Sequence, residues 1–262
     1  MPETQPGDRP LAGRHALITG GGRGIGAAVA DSLARLGADL TLVGRDAAVL
    51  EAKAASIRGT APCAVSCIVG DVNDEESMQA AFDRAGPVSI LVNNAGIAES
   101  APFARIDDGH WDRTLATNLT GTFRCMRIAY PAMAEAGWGR IVNVASTAGL
   151  KGYAYTVAYC ASKHGVVGLT RALAMEAART GVTVNAVCPS FTDTDMATRA
   201  IANIVAKTGR GEDEALKELA GINPQGRLVL PEEVAETVAW LCLPSSASIN
   251  GQAIAIAGGE VQ

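Results

Sequence analysis

No apolar run in this chain of 262 residues approaches the ~20 residues of a bilayer-spanning helix. That argues against a membrane protein. Long basic runs are also missing, and the net charge is −5, so nucleic acid and anionic membrane surfaces are poor partners. Six cysteines (Cys63, Cys67, Cys125, Cys160, Cys188 and Cys242) make no C-x-x-C pair. In a chain of this length they read as reduced, mostly buried thiols rather than a disulfide framework. His15, His110 and His164 lack the spacing of metal ligands, so no metal is expected. Met1 to Pro10 has no apolar signal core. It reads as a mobile leader on a cytoplasmic protein. Internal repeats, low-complexity tracts and Pro/Gly/Ser linkers are absent as well.

What is present is a long alternation of short apolar runs and helical patterns. Apolar residues make up 48% of the chain and charged ones 19%, enough to bury a sizeable core. Ala16–Thr19, Asp39–Val43, Ala64–Val69, Val88–Val92, Ile141–Ala145 and Val182–Val187 read as strands. Helical patterns separate them at 27–36, 46–58, from Asp74, 108–136 and 155–179, with Pro131 expected to bend or shorten the fourth. One uninterrupted series of this kind predicts an α/β fold, a doubly wound Rossmann-type parallel sheet with helices on both faces. A last strand at 253–257 brings the count to about seven. Residues 11–262 are therefore expected to form a single domain. The charged helical stretch at 194–221 interrupts the rhythm and reads as a substrate lid.

The first strand runs into Gly20-Gly21-Gly22-Arg23-Gly24-Ile25-Gly26. Glycines between a strand and a helix allow a sharp turn and close approach of backbone to a pyrophosphate. The spacing is Thr19-Gly20-x-x-x-Gly24-x-Gly26 rather than G-x-G-x-x-G. Cofactor contacts are expected from Gly20, Gly22, Arg23, Gly24, Ile25 and Gly26. After the second strand stand Gly44, Arg45 and Asp46. Arg45 with Arg23 could hold a ribose 2′-phosphate, which favours NADP(H) over NAD(H). Asp46 falls late for an NAD-type acid and is expected to cap the next helix.

Tyr159 and Lys163 stand four residues apart in a helical pattern, so they share a face. An ammonium beside a phenol favours the phenolate and should lower the tyrosine pKa, making Tyr159 a candidate acid/base. Tyr153 and Tyr155 have no lysine at this spacing.

In sequence order the chain carries Thr19-Gly20-x-x-x-Gly24-x-Gly26, Asp71-Val72, Asn93-Asn94-Ala95-Gly96, Asn118, Ser146, Tyr159-x-x-x-Lys163 and Pro189. In this set it resembles the single-domain short-chain dehydrogenase/reductase family over nearly all of 11–259. The resemblance implies a catalytic set of Asn118, Ser146, Tyr159 and Lys163. Asn118 would hold a water on a proton path, Ser146 would bind the substrate carbonyl, and Tyr159 would exchange the proton. Lys163 would hold the nicotinamide ribose. Asp71 and Val72 would meet the adenine, and Asn94, Ala95 and Gly96 would floor the ribose. Pro189, Thr192 and Thr194 would meet the carboxamide. The pattern departs from the family at Ser190, where glycine is usual after the proline, and at Ala257, where aspartate commonly precedes the paired glycines.

Two stretches, 162–168 and 180–189, look like those of polyketide and 3-oxoacyl-thioester ketoreductases. The function implied is hydride transfer between NADP(H) and a ketone or secondary alcohol, a 3-oxoacyl thioester or a cyclic or aryl ketone foremost. Alternatives are an NAD-dependent secondary-alcohol or 3-hydroxyacyl-CoA dehydrogenase, and a non-catalytic NADP-sensing regulator. Substrate contacts are expected from Ser146, Tyr159, Tyr153, Phe191 and Met196. Ile201, Ile204, Val205 and Leu150 either extend that wall or belong to the core stripe. Arg199, Lys207 and Arg210 either meet a thioester carrier's phosphate or are solvated. The family implies a homotetramer or homodimer.

Overall fold

A computed structural model describes residues 9–261. Most of the expected leader, residues 1–8, lies outside the described residues. Seven parallel strands form one sheet in the order β3-β2-β1-β4-β5-β6-β7. They are β1 His15–Thr19, β2 Asp39–Gly44, β3 Val65–Val69, β4 Ile90–Asn93, β5 Gly139–Val144, β6 Val182–Pro189 and β7 Ala253–Ile256. The connecting helices are α1 Gly24–Arg35, α2 Ala47–Arg58, α3 Glu75–Ala85, α4 Asp108–Leu115, α5 Gly121–Glu135 and α6 Val157–Ala177. After β6 come α7 Asp195–Thr208, α8 Glu212–Ala220 and α9 Pro231–Cys242.

Strand side chains alternate between two cores. Ala16, Ile18, Leu40 and Leu42 pack with α1, α2 and α9, whereas Leu17, Ile141, Val182 and Val184 pack with α3, α5 and α6. Both faces being covered explains why the strands read as continuous apolar runs. The strand order reverses between β1 and β4, and ligands of such sheets lie in the crevice outside the strand carboxyl ends there.

The long helix expected at 108–136 is interrupted, but not at Pro131. A π turn at Ala116–Thr120 separates α4 from α5, and α5 continues through Pro131 to Glu135. The segment 194–221 holds α7 and α8, joined across Gly209, which is left-handed (φ 71°). Together these two helices enclose a small core of Ile201, Ala215 and Leu219.

Candidate active site

The glycine turn ends in an unusual helix start. Gly20 (φ 66°) and Gly24 (φ 53°) are left-handed, a conformation glycine adopts without steric cost. Helix α1 then begins with no side chain capping its first N–H groups and no acid in its first turn. By contrast, α2 starts with Asp46 accepting from the Ala48 and Val49 N–H groups, the capping role expected of it. The free end of α1 opens on a cavity of about 1170 Å³ lined there by Gly20, Gly22, Arg23, Gly24 and Ile25. An uncapped, acid-free helix start with glycine backbone at its mouth fits a pyrophosphate. Arg45 lines the same cavity beyond β2; Arg23 also lies 3.8 Å from Asp195.

Gly26 stands behind the turn rather than on the cavity lining. A Cβ there would stand 2.3 Å from the Gly20 carbonyl oxygen and 2.5 Å from Asn94 Nδ2. Its bareness lets α1 close against the turn. Asn94 secures that turn by donating its side-chain amide to the Thr19 and Gly20 carbonyls at 3.0 and 3.1 Å. Thr19 Oγ1 accepts from the Asn94 and Ala95 N–H groups, locking β1 to the end of β4. Asp71, Val72, Asn94, Ala95, Gly96, Pro189, Thr192 and Thr194 all line the cavity, as do Ser146, Tyr159, Lys163, Tyr153, Phe191 and Met196.

Ser146 follows β5 and starts a short 3₁₀ turn, accepting from the Ala148 N–H at 3.1 Å. Tyr159 and Lys163 come from α6. Lys163 is buried, donates to the Val144 carbonyl at 2.8 Å, and sits 5.7 Å from the Tyr159 ring centre. The protein alone does not give the lowered tyrosine pKa expected from the sequence. Burial pushes the Tyr159 phenol up to about 12, with neighbouring Ser146 pulling the other way. Burial also brings Lys163 down to about 8. Desolvation disfavours both charged forms and sets the direction of both shifts.

Asn118 is not on the cavity either. It lies in the π turn, 1% exposed, and its amide is fully engaged. Oδ1 accepts from the Ile97 N–H at 2.9 Å, while Nδ2 donates to the Ile97 carbonyl and to Ser162 Oγ. The Asn118 side chain pins the strand-β4 loop to α6. Ser162, missed in the sequence, completes that link by donating to the Tyr159 carbonyl at 2.7 Å. Its only signal was its place between Tyr159 and Lys163.

Asn143, a polar neighbour of Ser146 in sequence, is buried. It accepts from Asn93 and donates to Thr170, a structural chain beneath the site. Of the lid's apolar residues, Met196 lines the cavity, Ile201 and Val205 belong to the lid's own core, and Ala200 and Ile204 pack against that core while also facing the cavity. Leu150 packs beside Ala145 and Val166, away from the cavity. Arg199, Lys207 and Arg210 stand on the lining. Lys207 donates to the Ser100 carbonyl at 3.3 Å, and Arg210 pairs with Glu218.

Residues 14–204 match the family model described as short chain dehydrogenase. A Streptomyces coelicolor protein provisionally named a ketoacyl reductase is 41% identical over 249 residues, 93% of this chain and 95% of the relative. The 3-oxoacyl-[acyl-carrier-protein] reductase of Vibrio harveyi is 38% identical, covering 95% of this chain and 98% of its own. The crystal structure of a single-residue variant of actinorhodin polyketide ketoreductase with NADPH superposes with a TM-score of 0.90 at 38% identity. That match covers 96% of this chain and 98% of the other.

Proposed function

The chain belongs to the short chain dehydrogenase family, NAD(P)-dependent oxidoreductases acting on CH–OH groups, and we propose that its preferred reaction is reduction of a 3-oxoacyl thioester, or a related cyclic or aryl ketone, with NADPH. One observation carries this reading. Ser146, Tyr159 and Lys163 meet on a single cavity that runs from the open start of α1 to the apolar face of α7. The names of the ketoreductase relatives support the thioester.

When bound, the dinucleotide supplies hydride from its nicotinamide ring. Arg45 and Arg23 would face its 2′-phosphate, and the start of α1 its pyrophosphate. Lys163, already tied to the Val144 carbonyl, would hold the ribose. Ser146 and Tyr159 would grip the ketone oxygen from the wall opposite the lid, and Tyr159 would hand its proton to the developing alkoxide. A phenol held up to about 12 by burial is protonated at neutral pH, as reduction requires. Asn118 and Ser162 act here as positioning residues that fix the start of α6. Met196, Ala200 and Ile204 of the lid would cover the acyl portion, with Tyr153 and Phe191 as the facing wall.

Arg45 on the cavity beyond β2, with Asp46 beside it committing Oδ1 to the cap of α2, supports NADP(H) over NAD(H). The assembly in this reading is a homotetramer or homodimer. Free thiols at all six cysteines agree with a cytoplasmic setting. Among the described residues no helix is long and apolar enough to cross a membrane.

The test is NADPH consumption, followed near 340 nm (roughly its absorbance maximum), across 3-oxoacyl-CoA esters, cyclic ketones and aryl ketones. Turnover with the thioesters is expected. Tyr159→Phe should lower kcat by about 10²–10⁴-fold with NADPH affinity retained. Unchanged turnover in that variant would remove Tyr159 from the mechanism. Arg45→Asp should weaken NADPH binding while leaving NADH binding intact.

A further inference from the structure

The chain turns back after β7. Gly258 (φ 58°) and Gly259 (φ 95°) are both left-handed, and the Glu260 N–H closes the turn on the Ala257 carbonyl at 3.1 Å. This reversal carries the Glu260 side chain inward, where it is 2% exposed. Its Oε2 accepts from Ser190 Oγ. Its Oε1 accepts from the Tyr153 hydroxyl and lies 2.9 Å from Lys151 Nζ. A buried carboxylate is tolerated when its lone pairs are satisfied by such donors.

The partners are not scattered. Tyr153 and Ser190 both line the cavity. With its hydroxyl proton given to Glu260, Tyr153 is left to accept from Thr147 Oγ1 at 2.6 Å. Thr147 follows Ser146, and Ser190 follows Pro189, whose carbonyl accepts from Ser146 Oγ at 3.5 Å. The hydrogen bonds Thr147–Tyr153–Glu260–Ser190 thus tie the segment after Ser146 to the segment after Pro189, and the Ser146–Pro189 hydrogen bond closes the loop. Across the cavity wall, Tyr153 meets Phe191 edge-on, ring centres 6.3 Å apart. A glycine at 190, usual in the family pattern, could not donate to Glu260; Ser190 can.

We propose that Glu260 is a positioning residue that determines ketone specificity. From the C-terminal tail it holds Tyr153 and the Ser190–Phe191 backbone at a fixed separation. It thereby sets the width of the slot through which the ketone reaches Ser146 and Tyr159. The proposal rests on the ketoreductase reading and adds to it a determinant more than a hundred residues from Tyr153 in sequence (153 against 260).

The test uses the full chain, NADPH and two ketones of different girth, a slim acyclic 3-oxoacyl thioester and a bulky bicyclic aryl ketone. Glu260→Ala should raise the thioester KM about tenfold, the scale of one hydrogen bond to a charged group. The ratio of kcat/KM between the two ketones should shift by a similar factor, and KM for NADPH should stay within about twofold. Glu260→Asp, which keeps the carboxylate, should recover part of the change. Unaltered ketone parameters, or an equal loss for both ketones and the cofactor, would overturn the proposal.

Amide hydrogen exchange supplies a readout independent of turnover. In Glu260→Ala, exchange should quicken at 146–156 and 189–196 while the central strands stay protected; unchanged exchange there also overturns it. A chain without ketone turnover in its unaltered form would sink the functional reading, and the exchange result would still decide whether Glu260 holds this wall.

Discussion

Lys163 places an ammonium beneath the sheet's carboxyl edge with the Val144 carbonyl as its hydrogen-bond acceptor. Burial lowers its pKa to about 8, so it is the first group of the site to titrate on the alkaline side. Tyr159, pushed up to about 12, stays a phenol throughout that range. The sign follows directly. Below pH about 8 the cation that would hold the ribose is present, and above it the cation is lost. For ketone reduction, kcat/KM for NADPH should therefore be flat through neutral pH and fall above pH about 8. In Lys163→Arg, whose guanidinium does not titrate in this range, that falling limb should vanish from whatever activity survives. A limb that persists there belongs to another group. At this scale the residue types of the site were legible in the sequence, but the sense of the Tyr159 shift was not. Spacing reveals the neighbouring charge and hides the desolvation that sets the direction of the shift.

Among the elements, α1 and α9 pack together on one face of the sheet, and α9 is held at its start by Glu233. Glu233 accepts from the Leu230 N–H at 2.8 Å and takes Arg227 in a two-pronged pair at 2.6 and 2.7 Å. Arg227, then the Leu230 N–H, draw its carboxyl down to about 2. A depressed acid contributes stability at pH values above its unfolded pKa, and that contribution is lost as pH falls toward the folded value. Glu233→Ala should cost about 1 kcal/mol at neutral pH, the usual worth of a lost cap. The exposed ion pair adds little. The corresponding melting shift is about 2–4 °C in a chain of this size. Thermal melts at pH 7 and near pH 2 should show that difference shrinking in acid (about 2 is the Glu233 value). The helix starts also separate what was legible from what was not. The Asp46 cap of α2 follows from residue type and position. The π turn at Ala116–Thr120 does not, because it arises where Asn118 is drawn to Ile97 and Ser162, partners distant in sequence.

Over the whole molecule, several large apolar side chains remain exposed, among them four on α4, α5 and α6. Trp111 on α4, Phe123 on α5, and Val157 and Met175 on α6 are exposed. Covering them by a second copy would bury area worth about 25 cal/mol per Å². Light scattering of the purified chain should accordingly give a mass of two or four copies of 26.8 kDa, and a monomer mass would refute the assembly.

The order of strands and helices, the glycine turn and the pairing of Tyr159 with Lys163 were determined by the sequence itself. Each rests on local periodicity or on residues a few positions apart, and the sheet's two-sided burial writes itself into apolar strands. Tertiary structure alone decided the rest. It removed Gly26 and Asn118 from the cavity, because what they touch lies across the fold. It set Ile201 and Val205 in the lid's own core and Met196 on the cavity wall, with Ala200 and Ile204 serving both. It also brought Glu260 against Tyr153 and Ser190. No spacing encodes that meeting, since it depends on how the last strand docks beside β6 and where two left-handed glycines then turn the chain.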